Sequence, residues 1–207
     1  MQFKVMAASL TAAALLANAG AAMADPPNFD FNGYAKIPSI PGGLFFLRAV
    51  LTNNGVVPTP IPLDFTLNQY TLIVNATLMS IPGINEDYDH TYVALYEDPI
   101  GGGTAADYAA PATFTDGTLI LYGDFNPFLR RTTFTPTLGS YSGTVHFYGG
   151  SQLGALGGPV DLPFGGGWSR TVSGIPAGYQ ENWDGLIGLG AVGVEPRTWE
   201  GVKRLYR

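Results

Sequence analysis

Apolar and polar residues alternate in short runs through most of this chain, and turn residues separate the runs. The clearest run is Asn68 to Met79. Tyr70, Leu72, Val74, Ala76 and Leu78 take one side, and Gln69, Thr71, Asn75 and Thr77 the other, with Ile73 the exception. A period of two marks a strand with one buried and one wet face. Further strands are predicted over Leu44–Thr52, Thr91–Glu97, Ala112–Thr115, Thr118–Phe125, Arg131–Leu138, Gly143–Tyr148 and Trp168–Ser173. Asp116-Gly117 between two such runs is a two-residue hairpin signal. Asp25–Pro41, with prolines at 26, 27, 38 and 41, reads as an extended lead-in or edge strand. The glycine-rich stretch from Gly149 to Gly167 reads as a loop excursion or a set of tight bends. Ser39-Ile40-Pro41-Gly42 recurs as Ser80-Ile81-Pro82-Gly83, a turn phrase used twice.

Short strands at this spacing predict an all-β fold, an antiparallel sandwich of the immunoglobulin-like or jelly-roll-like kind. An eight-stranded outer-membrane barrel is the rival architecture. Sixteen prolines, short strands and a C-terminus without strand character count against it.

Composition narrows the class. Only 13% of the 207 residues are charged and 46% are hydrophobic, so the chain has the makings of a packed core. It contains no cysteine, which removes disulfides, thiolate metal sites and thiol catalysis. A net charge of −6 argues against nucleic acid as a partner.

Residues 1–24 have the layout of a secretory signal peptide. Lys4 precedes an apolar run from Val5 to Ala17, and Ala22-Met23-Ala24 supplies small residues before Asp25. The expected protein is therefore exported and bacterial, secreted or held in the cell envelope or at the cell surface, with no membrane span once the leader is removed. Residues 25–194 then form the β domain, with five basic and fourteen acidic groups.

Residues 195–207 differ, with four basic groups and two acidic ones. Trp199, Val202, Leu205 and Tyr206 fall on one stripe at helical spacing, so a short C-terminal helix is expected to dock that stripe on its own domain or on a partner. Thr198, Trp199, Lys203, Tyr206 and Arg207 give this segment its character. It resembles the Thr-Trp-Gly-x-x-Lys-x-x-Tyr-Arg ending of a group of exported bacterial β-rich proteins without an assigned activity. The departure is Glu200, which stands before Gly201. The resemblance implies an exported β-rich protein and no particular chemistry.

Few motifs point to catalysis. Gly188-Leu189-Gly190-Ala191-Val192-Gly193 matches G-x-G-x-x-G, but no βαβ unit surrounds it and the chain ends too soon for the acidic partner. Gly139-Ser140-Tyr141-Ser142-Gly143 has tyrosine where a nucleophile elbow needs serine. His90 and His146 are far apart and without metal-ligand spacing.

Two binding constellations remain. Asn85, Asp87 and Asp89 take the first three ligand positions of a calcium loop. His90 stands where glycine belongs and Tyr96 where glutamate belongs, so only a looser calcium site would form, with Asp124 or Asp184 as possible further ligands. Trp168, Tyr179, Asn182, Trp183 and Asp184 combine rings and hydrogen-bonding groups in the way a sugar-stacking platform does. The expectation is a non-enzymatic, exported or cell-surface protein of structural or interaction role, requiring no cofactor. Its alternative is a glycan- or calcium-binding recognition module with a glycan or surface component as partner.

Overall fold

The structure, a computed structural model, describes residues 26–52 and 58–188. Nine strands follow one another: β1 (Asn28–Lys36), β2 (Leu44–Thr52), β3 (Asn68–Ser80), β4 (Asn85–Pro99), β5 (Thr118–Phe125), β6 (Leu129–Thr135), β7 (Leu138–Gly149), β8 (Val160–Ser169) and β9 (Glu181–Gly188). Every pairing is antiparallel, and each strand pairs with its sequence neighbours except that β5 and β6 share one place. β4 meets β5 along Val93–Glu97 and β6 along Asn85–Tyr88. β7 meets the same two strands in the complementary order. The two are halves of one stave, interrupted at Asn126-Pro127-Phe128, where proline has no N–H to give the ladder. β1 then pairs β9 from Asn28↔Gly188 to Ala35↔Glu181, and the sheet closes. The result is an eight-stave, up-and-down antiparallel barrel.

Alternate residues explain the filling. Phe29 and Phe31, Phe45 and Leu47, Leu72 and Val74, Val93 and Leu95, Val145 and Phe147, and Phe164 all point inward and join one core. Tyr141 lies flat on Trp183, with centroids 4.1 Å apart and an interplanar angle of 14°. Outward positions hold Asp30, Asn32, Asn75, Asp124, Arg130, His146 and Asp161. A lipid-spanning barrel carries an apolar band outside instead. Among the described residues no helix is long and apolar enough to cross a membrane.

Three inward strand positions are charged, Glu86, Arg131 and Glu181. Glu181 is fully buried, and its carboxylate accepts from Arg131 Nε at 3.0 Å, Arg170 Nε at 3.0 Å and Trp183 Nε1 at 3.0 Å; Arg131 Nη2 makes a further, shorter bond. Arg131 also reaches Glu86 at 3.0 Å and lies over the Trp168 ring, 3.9 Å from its centroid. Tyr88 Oη donates to Glu86 at 2.5 Å. This network closes one end of the barrel, at the β1–β2, β3–β4, β6–β7 and β8–β9 connections.

The sandwich expectation is therefore corrected to a barrel. Alternation along a strand is the same whether a sheet closes on itself or packs on a second sheet. What decides it is the β1–β9 pairing between opposite ends of the domain. The proline-rich lead-in contains β1, a full stave rather than an edge. Ala112–Thr115, expected as a strand, lies largely in a 3₁₀ turn, Pro111–Phe114, with proline at its start. No α-helix occurs among the described residues. The helix expected at 195–207, with its docking stripe Trp199, Val202, Leu205 and Tyr206, lies outside them, as does the leader at 1–24.

Burial sets an alkaline signature. It raises Tyr88 and Tyr141 far above the ordinary phenol range and pushes Tyr92 up to about 12, the latter with help from Tyr96, Tyr122 and Tyr148. Each raised phenol contributes stability that is complete below about pH 10, where unfolded tyrosines are still protonated. That contribution is lost as the pH climbs toward the folded values. In a spectrophotometric titration these three tyrosines are expected to remain un-ionised at about pH 11, with the interior pair Tyr88 and Tyr141 ionising only when the barrel opens. Ionisation of all eleven tyrosines of the chain in one step near pH 10 would contradict the packing.

Candidate functional site

The barrel wall divides the residues expected to stack on a sugar. Trp168 and Trp183 are inside, 2% and 0% exposed, with Trp168 Nε1 donating to Thr132 O at 3.0 Å. Neither ring offers a face to a glycan. Asn182 and Asp184 are on the outside of β9, and Asn182 Nδ2 donates to Asn32 Oδ1 at 3.1 Å and Gly33 O at 3.0 Å. Tyr179 is on the β8–β9 connection, with its ring 6.4 Å from that of Tyr34.

Nor do the expected calcium ligands converge. They sit on the first half of β4, which continues through the acidic cluster as strand rather than loop. Asp87 takes a two-pronged bond from Arg130, at 2.7 and 2.9 Å. Asn85 Oδ1 accepts from Thr132 at 2.8 Å, and Asp89 caps the His90 N–H at 2.7 Å, where the chain bulges with φ 49°. Among the described residues no three His, Asp or Glu side chains are grouped to hold a metal.

What the fold does assemble is a groove on the outer wall of β1 and β2. Two connections from opposite ends of the barrel meet over it. The β4–β5 connection is pinned where Ala106 N donates to Gln69 Oε1 at 2.9 Å and Thr71 Oγ1 to Phe114 O at 2.8 Å. The buried Phe114 ring sits over Ile73 and Ala94, which explains why Ile73 is apolar on an otherwise wet face. The β8–β9 connection is pinned through Gln180, whose N–H donates to Ala35 O at 3.0 Å and whose Oε1 accepts from Ile37 N at 2.8 Å. Tyrosines lock the two together. Tyr108 stands edge-on to Tyr34, at 4.8 Å and 84°, and to Tyr179, at 5.6 Å and 87°.

The groove has a volume of about 610 Å³ and is lined by Lys36, Phe46, Arg48, Tyr108, Pro111 and Tyr179, together with short backbone stretches. That size suits a small organic molecule. Arg48 is its polar feature. Nη1 donates to Leu47 O at 2.8 Å and to Asn75 Oδ1 at 3.0 Å, whereas Nε is buried without a partner. The other arginines of the described residues, Arg130, Arg131 and Arg170, are each bonded to a carboxylate; Arg48 is not. Burial lowers the Arg48 guanidinium below its usual range, against smaller opposing effects of Tyr179 and Tyr96. An arginine nevertheless stays charged at neutral pH. Burial likewise raises Tyr108 and Tyr179, which therefore remain neutral hydrogen-bonding phenols.

The class defined by fold and site is thus a filled, closed antiparallel barrel with a cationic, aromatic side groove. No known protein family, curated protein or solved structure matches the chain.

Proposed function

We propose that the protein is a non-enzymatic binding protein, exported as its leader suggests, whose outer groove takes a small carboxylate with an apolar or aromatic body. One observation carries this reading: Arg48 is a half-buried cation whose Nε has no partner, and among the described residues no carboxylate lines its groove. A buried donor without an acceptor costs stability, and an incoming carboxylate relieves that cost with a charge-assisted bond. Lys36 at the same groove adds a second positive charge, and Phe46, Tyr108 and Tyr179 supply the apolar walls.

The test compares phenylacetate with phenethyl alcohol, which shares the ring and lacks the charge, by calorimetric titration of the full chain. Phenylacetate is expected to bind more tightly by about ten- to one-hundredfold, the value of a charged hydrogen bond. Arg48→Gln is expected to erase that difference while leaving the melting temperature of the free protein unchanged or higher. Equal binding of acid and alcohol, or no binding of either, would overturn the assignment.

A further inference from the structure

The end of the barrel closed by the ionic network carries an unusual surface. The β1–β2, β3–β4, β6–β7 and β8–β9 connections all emerge there. Eight of the eleven large apolar side chains exposed among the described residues lie on these connections or beside them. Ile40 is 68% exposed and Phe134 66%, and Leu44, Ile81, Ile84 and Leu138 accompany them. Patches of this kind mark interaction surfaces rather than chance exposure.

The repeated Ser-Ile-Pro-Gly phrase builds two of the tips. Both copies place their glycine in the left-handed region, Gly42 at φ 83° and Gly83 at φ 66°, and so both turn the chain immediately after an exposed isoleucine and a proline. Backbone bonds tie the tips to their neighbours. Gly42 N donates to Leu78 O at 2.7 Å, Thr133 N to Ile84 O at 2.8 Å, and Arg170 N to Thr137 O at 2.9 Å. The apolar side chains are therefore held outward by ordered turns.

Charge is distributed to match. At this end Lys36, Arg130, Arg131 and Arg170 meet Glu86, Asp87, Asp89 and Glu181; Asp89 is exposed and Arg131 is more buried than Glu86, but in the other two ion pairs the cation reaches further out. Arg130 is 39% exposed against 18% for its partner Asp87, and Arg170 is 42% against 0% for Glu181. Towards the opposite end and along the walls lie Asp30, Asp64, Glu97, Asp98, Asp107, Asp116, Asp124, Asp161 and Asp184, with Arg48 the one cation there among the described residues.

We infer that this end of the barrel docks peripherally on a phospholipid surface. Ile40, Ile81, Ile84 and Phe134 would enter the acyl boundary, with Arg130, Arg170 and Lys36 at the depth of the phosphates. Apolar tips backed by exposed cations are the combination that an interfacial lipid layer stabilises. The acidic remainder faces away from the anionic headgroups. A second copy docked end to end fits less well, because it would set two cationic fringes against each other.

Vesicle co-sedimentation of the full chain tests this. Wild type is expected to bind phosphatidylcholine vesicles, and more of it when phosphatidylglycerol is included, with the increment lost at high salt. Ile40→Asp with Ile81→Asp should lower the partition about tenfold or more with an unchanged near-ultraviolet dichroism spectrum. Leu67→Asp with Ile100→Asp, on exposed residues of the opposite end, should change nothing. If the first pair fails to fold, Phe134→Ser on a separate turn gives the same readout. Failure of wild type to bind either vesicle, or equal losses for the two ends, would overturn the inference. So would a dimer in sedimentation velocity that Ile40→Asp with Ile81→Asp dissociates while vesicles are ignored.

Discussion

Glu181→Ala is expected to destabilise the barrel by about 3–5 kcal/mol in urea unfolding, among the largest effects of any single change to this chain. The carboxylate is fully buried and both of its oxygens are occupied, by Arg131, Arg170 and Trp183. Removing it strands the Arg131 guanidinium, itself only 2% exposed, with Glu86 as its remaining counter-charge. The loss is expected to come mainly from that uncompensated cation, not from the missing attraction. Arg131→Met combined with Glu181→Leu should therefore be more stable than Glu181→Ala alone, because it removes the charge together with its partner. If the double variant is no more stable than the single one, the cost does not arise from the stranded arginine.

The second large effect is expected at Gly185. Its inward side faces Tyr141, whose ring spans the interior to reach β8 and β9. A Cβ at Gly185 would collide with the Tyr141 hydroxyl and with the Gly165 carbonyl oxygen, and a Cβ at Gly166 with the same hydroxyl and the Asp184 carbonyl oxygen. Backbone atoms on one side and a ring stacked on Trp183 on the other leave little freedom to relax. Gly185→Ala is expected to cost at least the upper part of the ~1–3 kcal/mol range for overpacking. Tyr141→Phe in the same chain should recover part of the loss by removing the hydroxyl, which is buried without a hydrogen-bond partner. Chemical denaturation of the wild type and the two variants measures both terms. Full stability of Gly185→Ala would show that the ring and the β8–β9 wall are not in contact.

These two residues also explain where the sequence misleads. The β3 run was legible because its inward positions are uniformly apolar. Glu-Asn-Trp-Asp-Gly-Leu-Ile-Gly, which forms β9, puts Glu181 and Gly185 at inward positions and so breaks the alternation. Both exceptions are imposed by the interior, one by Arg131 and one by Tyr141. Without a legible β9 the sequence carries no sign of the pairing that closes the barrel, and its alternation fits a sandwich equally well. The first half of β4 is hidden for a related reason: its acidic residues read as a calcium loop, but Arg130 and Thr132 on β6 occupy Asp87 and Asn85. Of the groove, the sequence marks only Tyr179, and in a different grouping. Arg48 did leave a signal, as the lone charge within Leu-Phe-Phe-Leu-Arg-Ala-Val-Leu-Thr. The Tyr34–Tyr108–Tyr179 clasp left none, because the loops that bring those rings together are distant in sequence.

Closure between the first and last staves has a cost during biosynthesis. Asn28 pairs with Gly188, so most of the domain must be translated before β1 acquires its second neighbour. Until then the nascent chain offers an open row of amides and carbonyls along β1, and contacts between such distant residues form slowly. Synthesis rate and chaperone supply therefore bear on the yield of soluble protein more than the finished barrel's stability would suggest. A circular permutant that joins β9 to β1 and opens at the interrupted stave, near Pro127, would bring those two strands together early.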